Sequence, residues 1–260
     1  MRISVADFDE LIAEAESHPI HGWDFEWLGD RVTTTPLPWS YRTMVQRLAR
    51  ESSDLLDLGT GGGEWLAKLD QRPQRTVATE GRPPNLTIAQ TRLEPLGVEV
   101  VAYNGPWDNV SQTGADPPLP FPDRSFHLVA DRHGAFLAIE VARVLAKGGR
   151  FISQQVGDGR ELAALVGVAP AQPLSRIWDL ALASSQVEAA VLRVTDGGEV
   201  DEVETIADVG ALVWYLHAVP WELASFAPAA FRERLVELHQ LSQEVPLRFE
   251  RRAFWVLAEA

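Results

Sequence analysis

Short apolar runs alternate with segments of helical hydrophobic spacing through much of the chain. The run at residues 55–58 is apolar on both faces except for Asp57, as expected of a central strand in a parallel sheet that helices cover on both sides. Further strands are predicted at residues 75–81, 97–104, 126–131 and 151–156. Helices are predicted between them at residues 64–69, 83–93 and 140–147. This alternation predicts an α/β fold.

A glycine-rich turn follows the first of these strands. Gly59, Gly61 and Gly63 allow positive φ and let the backbone approach a ligand, which a Cβ would prevent. The helix that begins at about Gly62 would direct its free N–H groups toward that ligand. A nucleotide-like ligand is therefore the first hypothesis.

Two common nucleotide-binding motifs do not fit this turn. A dinucleotide fingerprint needs a third glycine three residues after the second, where this chain has Glu64 or Leu66, depending on the frame. A phosphate-binding loop of the Walker type needs Gly-Lys-Ser/Thr, and the nearby Lys68 lies well inside the predicted helix. The pattern that remains is Asp57-x-Gly-x-Gly-x-Gly.

That pattern resembles the first motif of the class I S-adenosylmethionine-dependent methyltransferases. Three further motifs follow in the order of that family: the acid Glu80 at the end of the second strand, Leu-Pro-Phe with Pro-Asp-x-Ser-Phe at residues 119–126, and Arg-Val-Leu-x-x-Gly-Gly at residues 143–149. The last is typical of the type 11 group. The resemblance covers residues 53–156, and a cofactor with a cationic sulfonium and an ammonium suits an acidic strand end.

The resemblance implies a Rossmann-like, doubly wound sheet. Seven strands are expected in the order 3-2-1-4-5-7-6, with the last strand antiparallel to the others. The sixth and seventh strands are predicted from alternating and apolar patterns at residues 199–207 and 247–258.

The chain outside the core is predicted to surround the substrate. Residues 1–50 form an N-terminal arm or lid in this prediction, and residues 51–260 form the methyltransferase domain. Helical segments at residues 158–198 and 208–246, the second an insertion before the last strand, are expected to cover the substrate pocket. The aromatic side chains of the arm, Trp39 among them, either pack on the outside of the core or close over cofactor and substrate.

The resemblance places S-adenosylmethionine at the carboxyl edge of the sheet. Asp57 would lie near the methionine ammonium, and Glu80 would accept hydrogen bonds from the ribose hydroxyls. The usual adenine-binding aspartate is displaced here, so Asn104, Asp108 and Asp116 are alternative adenine contacts. The predicted cofactor-binding residues are Asp57, Gly59, Thr60, Gly61, Gly63, Glu80, Gly81, Asn104 and Asp131.

The end of the fourth strand is predicted to face the substrate. His133 is the candidate general base, because an imidazole suits proton removal near neutral pH. The alternative is that His133 only packs against the cofactor or donates to a backbone carbonyl, since methyl transfer often needs no base. Gln154 and Gln155 either bind a polar substrate or cap the following loop. The predicted substrate-binding residues are Arg132, His133, Gln154, Gln155, Tyr215 and Trp39.

Composition narrows the class of partner. Acidic residues outnumber basic ones by 37 to 23, giving a formal net charge of −14, which opposes binding to nucleic-acid phosphates. The absence of cysteine excludes thiolate metal sites and a catalytic thiol, and no metal site is predicted. No stretch reaches the ~18 apolar residues that a membrane span needs. We expect a cytoplasmic protein, a monomer or homodimer, that binds a small-molecule acceptor.

Methyl transfer to oxygen or nitrogen of that acceptor, by in-line displacement, is the leading prediction. The reaction requires alignment of acceptor, methyl group and sulfur in a dry pocket. An RNA base methyltransferase is one alternative, which the acidity disfavours. A non-catalytic regulatory protein that binds S-adenosylmethionine is another, because intact cofactor motifs do not demonstrate turnover.

Overall fold

The structure is a computed structural model that describes residues 5–20, 25–110, 116–157, 160–168, 177–220, 222–223 and 226–260. The strands are β1 Val32–Thr34, β2 Asp54–Leu58, β3 Arg75–Glu80, β4 Glu99–Ala102, β5 Phe126–Arg132, β6 Leu145–Val156, β7 Arg193–Ile206 and β8 Leu247–Glu259. The α-helices are α1 Val5–Ser17, α2 Tyr41–Arg50, α3 Glu64–Ala67, α4 Pro83–Leu93, α5 Ala138–Val144, α6 Arg160–Leu165, α7 Leu180–Ala189, α8 Val209–Ala218 and α9 Arg232–Ser242. Each helix within these described ranges is too short or too polar to cross a membrane.

The strands form one sheet in the order β1-β7-β8-β6-β5-β2-β3-β4. Strands β2 to β6 are parallel to their neighbours, and β8 runs antiparallel to β6. The predicted α/β fold, the order of its seven strands and the antiparallel last strand are confirmed. The number of strands was wrong, because the described residues contain eight.

The additional strand, β1, lies at the edge of the sheet. It pairs antiparallel with β7, with Val32 opposite Ile206 and Thr34 opposite Glu204. Three residues, two of them exposed threonines, carry no alternating pattern of their own. Strand β7 is also longer than predicted, because it begins at Arg193, within the segment that was expected to be helical up to residue 198.

The chain comprises two compact units. One contains Met1–Pro36, Asp158–Ser175 and Asp201–Arg252. The other contains Leu37–Gly157, Arg176–Val200 and Ala253–Ala260. Residues 37–50, which the sequence prediction placed in the arm, thus belong to the unit that carries the glycine turn. The roles of the arm and of the helical segments around a substrate pocket stay predictions.

Both faces of the sheet in the second unit are covered by helices. Leu55 packs with α2 and α4 residues on one face, and Leu56 packs with α5 and α7 residues on the other. Both leucines are completely buried. Two covered faces explain why this strand is apolar at successive positions rather than at alternate ones. The first unit has a separate core around α8, which is buried on nearly every side.

Candidate functional site

The glycine turn connects β2 to the four-residue helix α3. Gly61 and Gly63 have φ values of 63° and 78°, in the left-handed region that favours glycine. A Cβ on Gly63 would lie 2.7 Å from Cγ of Leu93, so this glycine also allows α4 to pack against the turn. The helix ends two residues earlier than predicted, at Ala67.

Glu80, the last residue of β3, is hydrogen-bonded to the glycine turn. Its Oε2 accepts a hydrogen bond of 2.8 Å from the Gly61 N–H, and its Oε1 accepts one of 2.7 Å from the Arg82 N–H. Burial raises the pKa of Glu80, and these amides oppose the shift. Each carboxylate oxygen can accept a second bond, so the predicted contact with ribose hydroxyls remains compatible with this arrangement and stays a prediction.

Asp57 is a fully buried carboxylate near the end of β2. Its exposed fraction is 0%, and neither of its oxygens accepts a hydrogen bond from the part of the chain that the structure describes. Burial raises the pKa of Asp57 well above its usual range, the nearby Thr60 hydroxyl lowers that pKa, and the negative charges of Asp131 and Glu80 raise it further. A carboxylate in this state is costly to bury unless a cation or a donor pairs with it.

Asp131 lies at the end of the neighbouring strand β5 and is also fully buried. Its Oδ2 accepts hydrogen bonds from the Ser153 hydroxyl, at 2.6 Å, and from the Gln155 amide. Oδ1 accepts none from the described residues. Burial raises the pKa of Asp131 to about 8, although the bonds from Ser153 and Gln155 lower it. Because Asp57 pairs in register with Ala130, the two carboxylates point to opposite faces of the sheet.

The free energy of unfolding should depend less on pH in the Asp131→Asn variant than in the wild type. The folded-state pKa of Asp131, about 8, exceeds the ordinary value of 3.8, so the folded protein binds more protons between these values. The resulting stabilisation is complete below the unfolded-state pKa and is lost as the pH rises through the folded-state pKa. Urea unfolding of both proteins at several pH values across this window measures the difference. Identical profiles would contradict it.

The first residue of α2 reaches the same edge of the sheet. Tyr41 is 5% exposed, and its hydroxyl donates a hydrogen bond of 2.8 Å to the Asp131 carbonyl oxygen. Burial, together with the charges of Asp57 and Asp131, raises the pKa of Tyr41 well above its usual range. Sequence reasoning missed Tyr41 as a site residue. A signal was present, because Ser40 is a helix N-cap and places Tyr41 at the start of the helix that leads into β2.

Trp39 and Gln154 meet at the ends of β5 and β6. The indole Nε1 of Trp39 donates a hydrogen bond of 2.9 Å to Oε1 of Gln154, which is 4% exposed. The structure thus brings together two of the predicted substrate-binding residues. Their contact with a substrate stays a prediction.

The side-chain amide of Gln155 forms its hydrogen bonds with other residues of the protein. Its Nε2 lies within hydrogen-bond distance of Asp131, of the Gly134 carbonyl oxygen at 2.9 Å and of the Ser153 hydroxyl at 2.8 Å, and its two N–H groups are shared among these acceptors. Its Oε1 accepts from Nε1 of Trp178 at 3.2 Å. These bonds hold the strand ends and the following segments in place and favour the structural interpretation of Gln155.

Asn109 completes this network and was missed by sequence reasoning. Its Oδ1 accepts a hydrogen bond of 3.0 Å from the Phe136 N–H, and its carbonyl oxygen accepts one of 2.8 Å from Nε2 of Gln186. Asn109 is 8% exposed. No local pattern marks it, because its partners lie 27 and 77 positions away.

His133 and Arg132 are exposed at the end of β5. His133 has a φ of 62°, which is uncommon for a residue other than glycine and costs about 1–3 kcal/mol. Its N–H donates a hydrogen bond of 2.8 Å to the Gln154 carbonyl oxygen. The position matches the predicted location of an acid–base group, but its use as a base stays a prediction.

Of the three alternative adenine contacts, Asn104 lies beside Gly81. A Cβ on Gly81 would be 2.9 Å from Cα of Asn104, so the ends of β3 and β4 approach closely there. Asp108 instead accepts a hydrogen bond of 2.5 Å from the Val110 N–H within its own turn. Asp116 is half-buried after a segment outside the described residues. The proximity to Gly81 favours Asn104.

Tyr215 lies in the first unit, within a charged group that we call the Arg251 cluster: Arg251, Glu202, Glu204 and Tyr215. Nη1 of Arg251 donates a hydrogen bond of 3.1 Å to the Tyr215 hydroxyl, and Nη2 lies 3.1 Å from Oε2 of Glu204 and 3.5 Å from Oε2 of Glu202. Burial raises the pKa of Tyr215 and of both glutamates. The predicted contact between Tyr215 and a substrate stays a prediction.

The region that contains the glycine turn is similar to known methyltransferases. The methyltransferase domain model, of the type 11 group, matches residues 56–153. The uncharacterized methyltransferase YcgJ of Bacillus subtilis is 29% identical over 110 residues, a segment that covers 40% of each chain. The matched segment is thus well under half the length of this curated relative.

Two solved structures share the fold. A candidate methyltransferase from Bacillus halodurans has a TM-score of 0.59 at 16% identity, with 85% of this chain and 99% of that chain covered. The YcgJ crystal structure has a TM-score of 0.55 at 16% identity, with 84% and 97% covered. At this level of identity, the two structures support the architecture rather than a particular activity.

The residues at the edge of the sheet fit the cofactor of this family. The unpartnered carboxylate of Asp57 can pair with the methionine ammonium, and the glycine turn offers backbone rather than side chains to the ligand. Glu80 and Asn104 lie at the ends of the next two strands, where ribose and adenine would follow. Over residues 56–153, the chain is thus similar to the methyltransferase domain of the class I S-adenosylmethionine-dependent methyltransferases.

Proposed function

We propose that the protein transfers the methyl group of S-adenosylmethionine to oxygen or nitrogen of a small-molecule acceptor. The observation that carries the proposal is the buried Asp57, whose two oxygens lack hydrogen-bond partners among the described residues beside the glycine turn. A cationic ligand offsets the cost of that buried carboxylate. The cofactor carries such a cation in its methionine part.

S-adenosylmethionine supplies an electrophilic methyl group on a sulfonium when it is bound. The contribution of the chain is to bind and orient. Asp57 would pair with the ammonium, the turn from Gly59 to Gly63 would lie along the methionine and ribose, and Glu80, which holds the turn through Gly61, would accept hydrogen bonds from the ribose hydroxyls. Tyr41 and the Gln155 bonds fix the strand ends, so that the reacting groups are aligned without a covalent step on the protein.

The acidic composition of the protein supports a small-molecule acceptor rather than a nucleic acid. Transfer to RNA would require a cluster of Lys and Arg side chains facing the phosphates, whereas the chain has 37 acidic and 23 basic residues. A neutral or cationic small molecule meets no such repulsion.

Calorimetric titration of the full chain with S-adenosylmethionine and with NADH tests the cofactor. Binding of the first and no binding of the second is expected. The Asp57→Asn variant keeps the shape of the side chain but removes its charge, so it should bind more weakly by about tenfold or more. Binding of NADH, or unchanged affinity in the variant, would overturn the assignment of this edge of the sheet.

A screen of phenolic, sugar and amine acceptors with labelled methyl donor tests the reaction. Release of S-adenosylhomocysteine that depends on an acceptor is the expected result. Tight cofactor binding without turnover on any acceptor would indicate a regulatory protein instead. Turnover only on transfer or ribosomal RNA would indicate the nucleic-acid alternative.

A further inference from the structure

Three side chains form a hydrogen-bonded chain at the ends of β5 and β6. Nε1 of Trp39 donates to Oε1 of Gln154 at 2.9 Å, and Nε2 of Gln154 lies 3.1 Å from Nε2 of His133. Gln154 is 4% exposed, so its amide is held inside the protein. We call this arrangement the Trp39–Gln154–His133 chain.

The donors and acceptors in the Trp39–Gln154–His133 chain follow from the chemistry of the three side chains. An indole N–H can only donate, so the oxygen of Gln154, and not its nitrogen, must face Trp39. The amide NH₂ group therefore faces His133 and donates to it. A nitrogen that accepts a hydrogen bond carries no proton, so Nε2 of His133 is unprotonated and the proton of the neutral ring is on Nδ1.

Gln154 also holds the backbone of His133. Its carbonyl oxygen accepts a hydrogen bond of 2.8 Å from the His133 N–H. This contact helps to retain the φ of 62°, which a histidine rarely adopts. The same residue thus fixes both the position of the ring and its protonation pattern. Conformations that cost energy and are held in this way are frequent at functional sites.

We propose that the Trp39–Gln154–His133 chain holds His133 in the Nδ1–H tautomer, so that His133 contributes a hydrogen-bond donor and does not act as the general base. A proton added at Nε2 would meet the NH₂ group of Gln154, and that amide cannot turn around without breaking its bond to Trp39. Trp39 and Gln154 are then positioning residues that act through His133.

Holding His133 in this tautomer restricts the methyl acceptor; this step rests on the proposed methyl transfer. An acceptor methylated at this site must bring a nucleophile that needs no deprotonation by His133. Carboxylates, acidic phenols and amines that are neutral near pH 7 meet this condition, whereas aliphatic hydroxyls do not. The substrate class is therefore narrower than oxygen or nitrogen in general.

Nitrogen NMR of the full chain labelled with ¹⁵N-histidine tests the tautomer without any ligand. The His133 signals are assigned by their absence in a His133→Asn variant, because asparagine tolerates a left-handed φ. In the wild type, Nδ1 should carry the proton and Nε2 should show the shift of an unprotonated nitrogen. Protonation at Nε2, or a fully protonated ring near pH 7, would overturn the proposal.

Two variants test the cause. In Gln154→Glu, the carboxylate accepts from both Trp39 and His133, so the proton should appear on Nε2. Trp39→Phe keeps an aromatic ring but removes the indole N–H, so the Gln154 amide can turn and both tautomers should appear. His127, whose Nδ1 lies 3.0 Å from Oδ2 of Asp54 at the opposite ends of β2 and β5, reports whether the fold is retained and should not change.

If the His133 signals were unchanged in both variants while the His127 signals stayed intact, the Trp39–Gln154–His133 chain would not determine the tautomer of His133. The wild-type spectrum decides the tautomer even where a variant fails to fold. Because no cofactor is present in these samples, failure of cofactor binding would leave the result unaffected and is detected separately by calorimetry.

Discussion

Replacement of Gly61 by valine should abolish binding of S-adenosylmethionine and leave the fold largely intact. Gly61 has a φ of 63°, and its N–H donates to Glu80. A side chain there would occupy the space through which the backbone approaches the ligand, and a β-branched residue resists this φ. We expect a loss of affinity of about 100-fold or more, or ~2.7 kcal/mol, in calorimetric titration.

Gly97→Val is the matched control for backbone strain. Gly97 has a φ of 77°, and no heavy atom lies within 4 Å of a Cβ added there. The control therefore carries a similar strain before β4, away from the glycine turn, and should bind the cofactor normally. Gly63 is a poorer probe, because a Cβ at that position collides with Leu93. Tight binding by Gly61→Val, or an equal loss in Gly97→Val, would count against the proposed cofactor site.

Replacement of Arg251 by methionine should lower the free energy of unfolding by about 3–5 kcal/mol. Arg251 is the cation that faces Glu204 and Glu202, whose side chains are 1% and 7% exposed. Without it, these buried carboxylates must either stay charged without compensation or take up protons. Urea unfolding near pH 7 measures the loss.

The neighbouring Arg252→Met variant is the control. Arg252 forms an ion pair with Asp201, in which the side chains are 39% and 54% exposed, and such pairs contribute at most about 1 kcal/mol. Adding Glu204→Gln to Arg251→Met should recover part of the loss, since it removes one buried charge. Equal losses for Arg251→Met and Arg252→Met, or no recovery in the double variant, would show that charge burial is not the cause.

The raised pKa of Glu204 gives the same experiment a pH dependence. The folded protein holds a proton on this glutamate more strongly than the unfolded chain, so its stabilising contribution is present at acidic pH and is lost as the pH rises. The deficit of Arg251→Met should therefore shrink when the pH is lowered. Guanidinium is unsuitable here because it screens charges, so urea is the denaturant of choice.

Local patterns in the sequence determined the central part of this protein. The run before the glycine turn is apolar at successive positions because the strand is covered on both faces, and spacing alone reveals this. The glycine turn directly follows β2 and Glu80 ends β3, and parallel strands bring their carboxyl ends to one edge. The strand order was predictable for that reason.

Only the tertiary structure decided the contacts that join distant segments. Strand β1 has three residues and exists through its pairing with β7, so no local pattern announces it. Tyr41 reaches Asp131 across 90 positions, and Trp39 reaches Gln154 across 115. The complete burial of Asp57 and the direction of the hydrogen bonds in the Trp39–Gln154–His133 chain are likewise properties of packing. Such features depend on which side chains meet in space, and residue spacing carries no information about that.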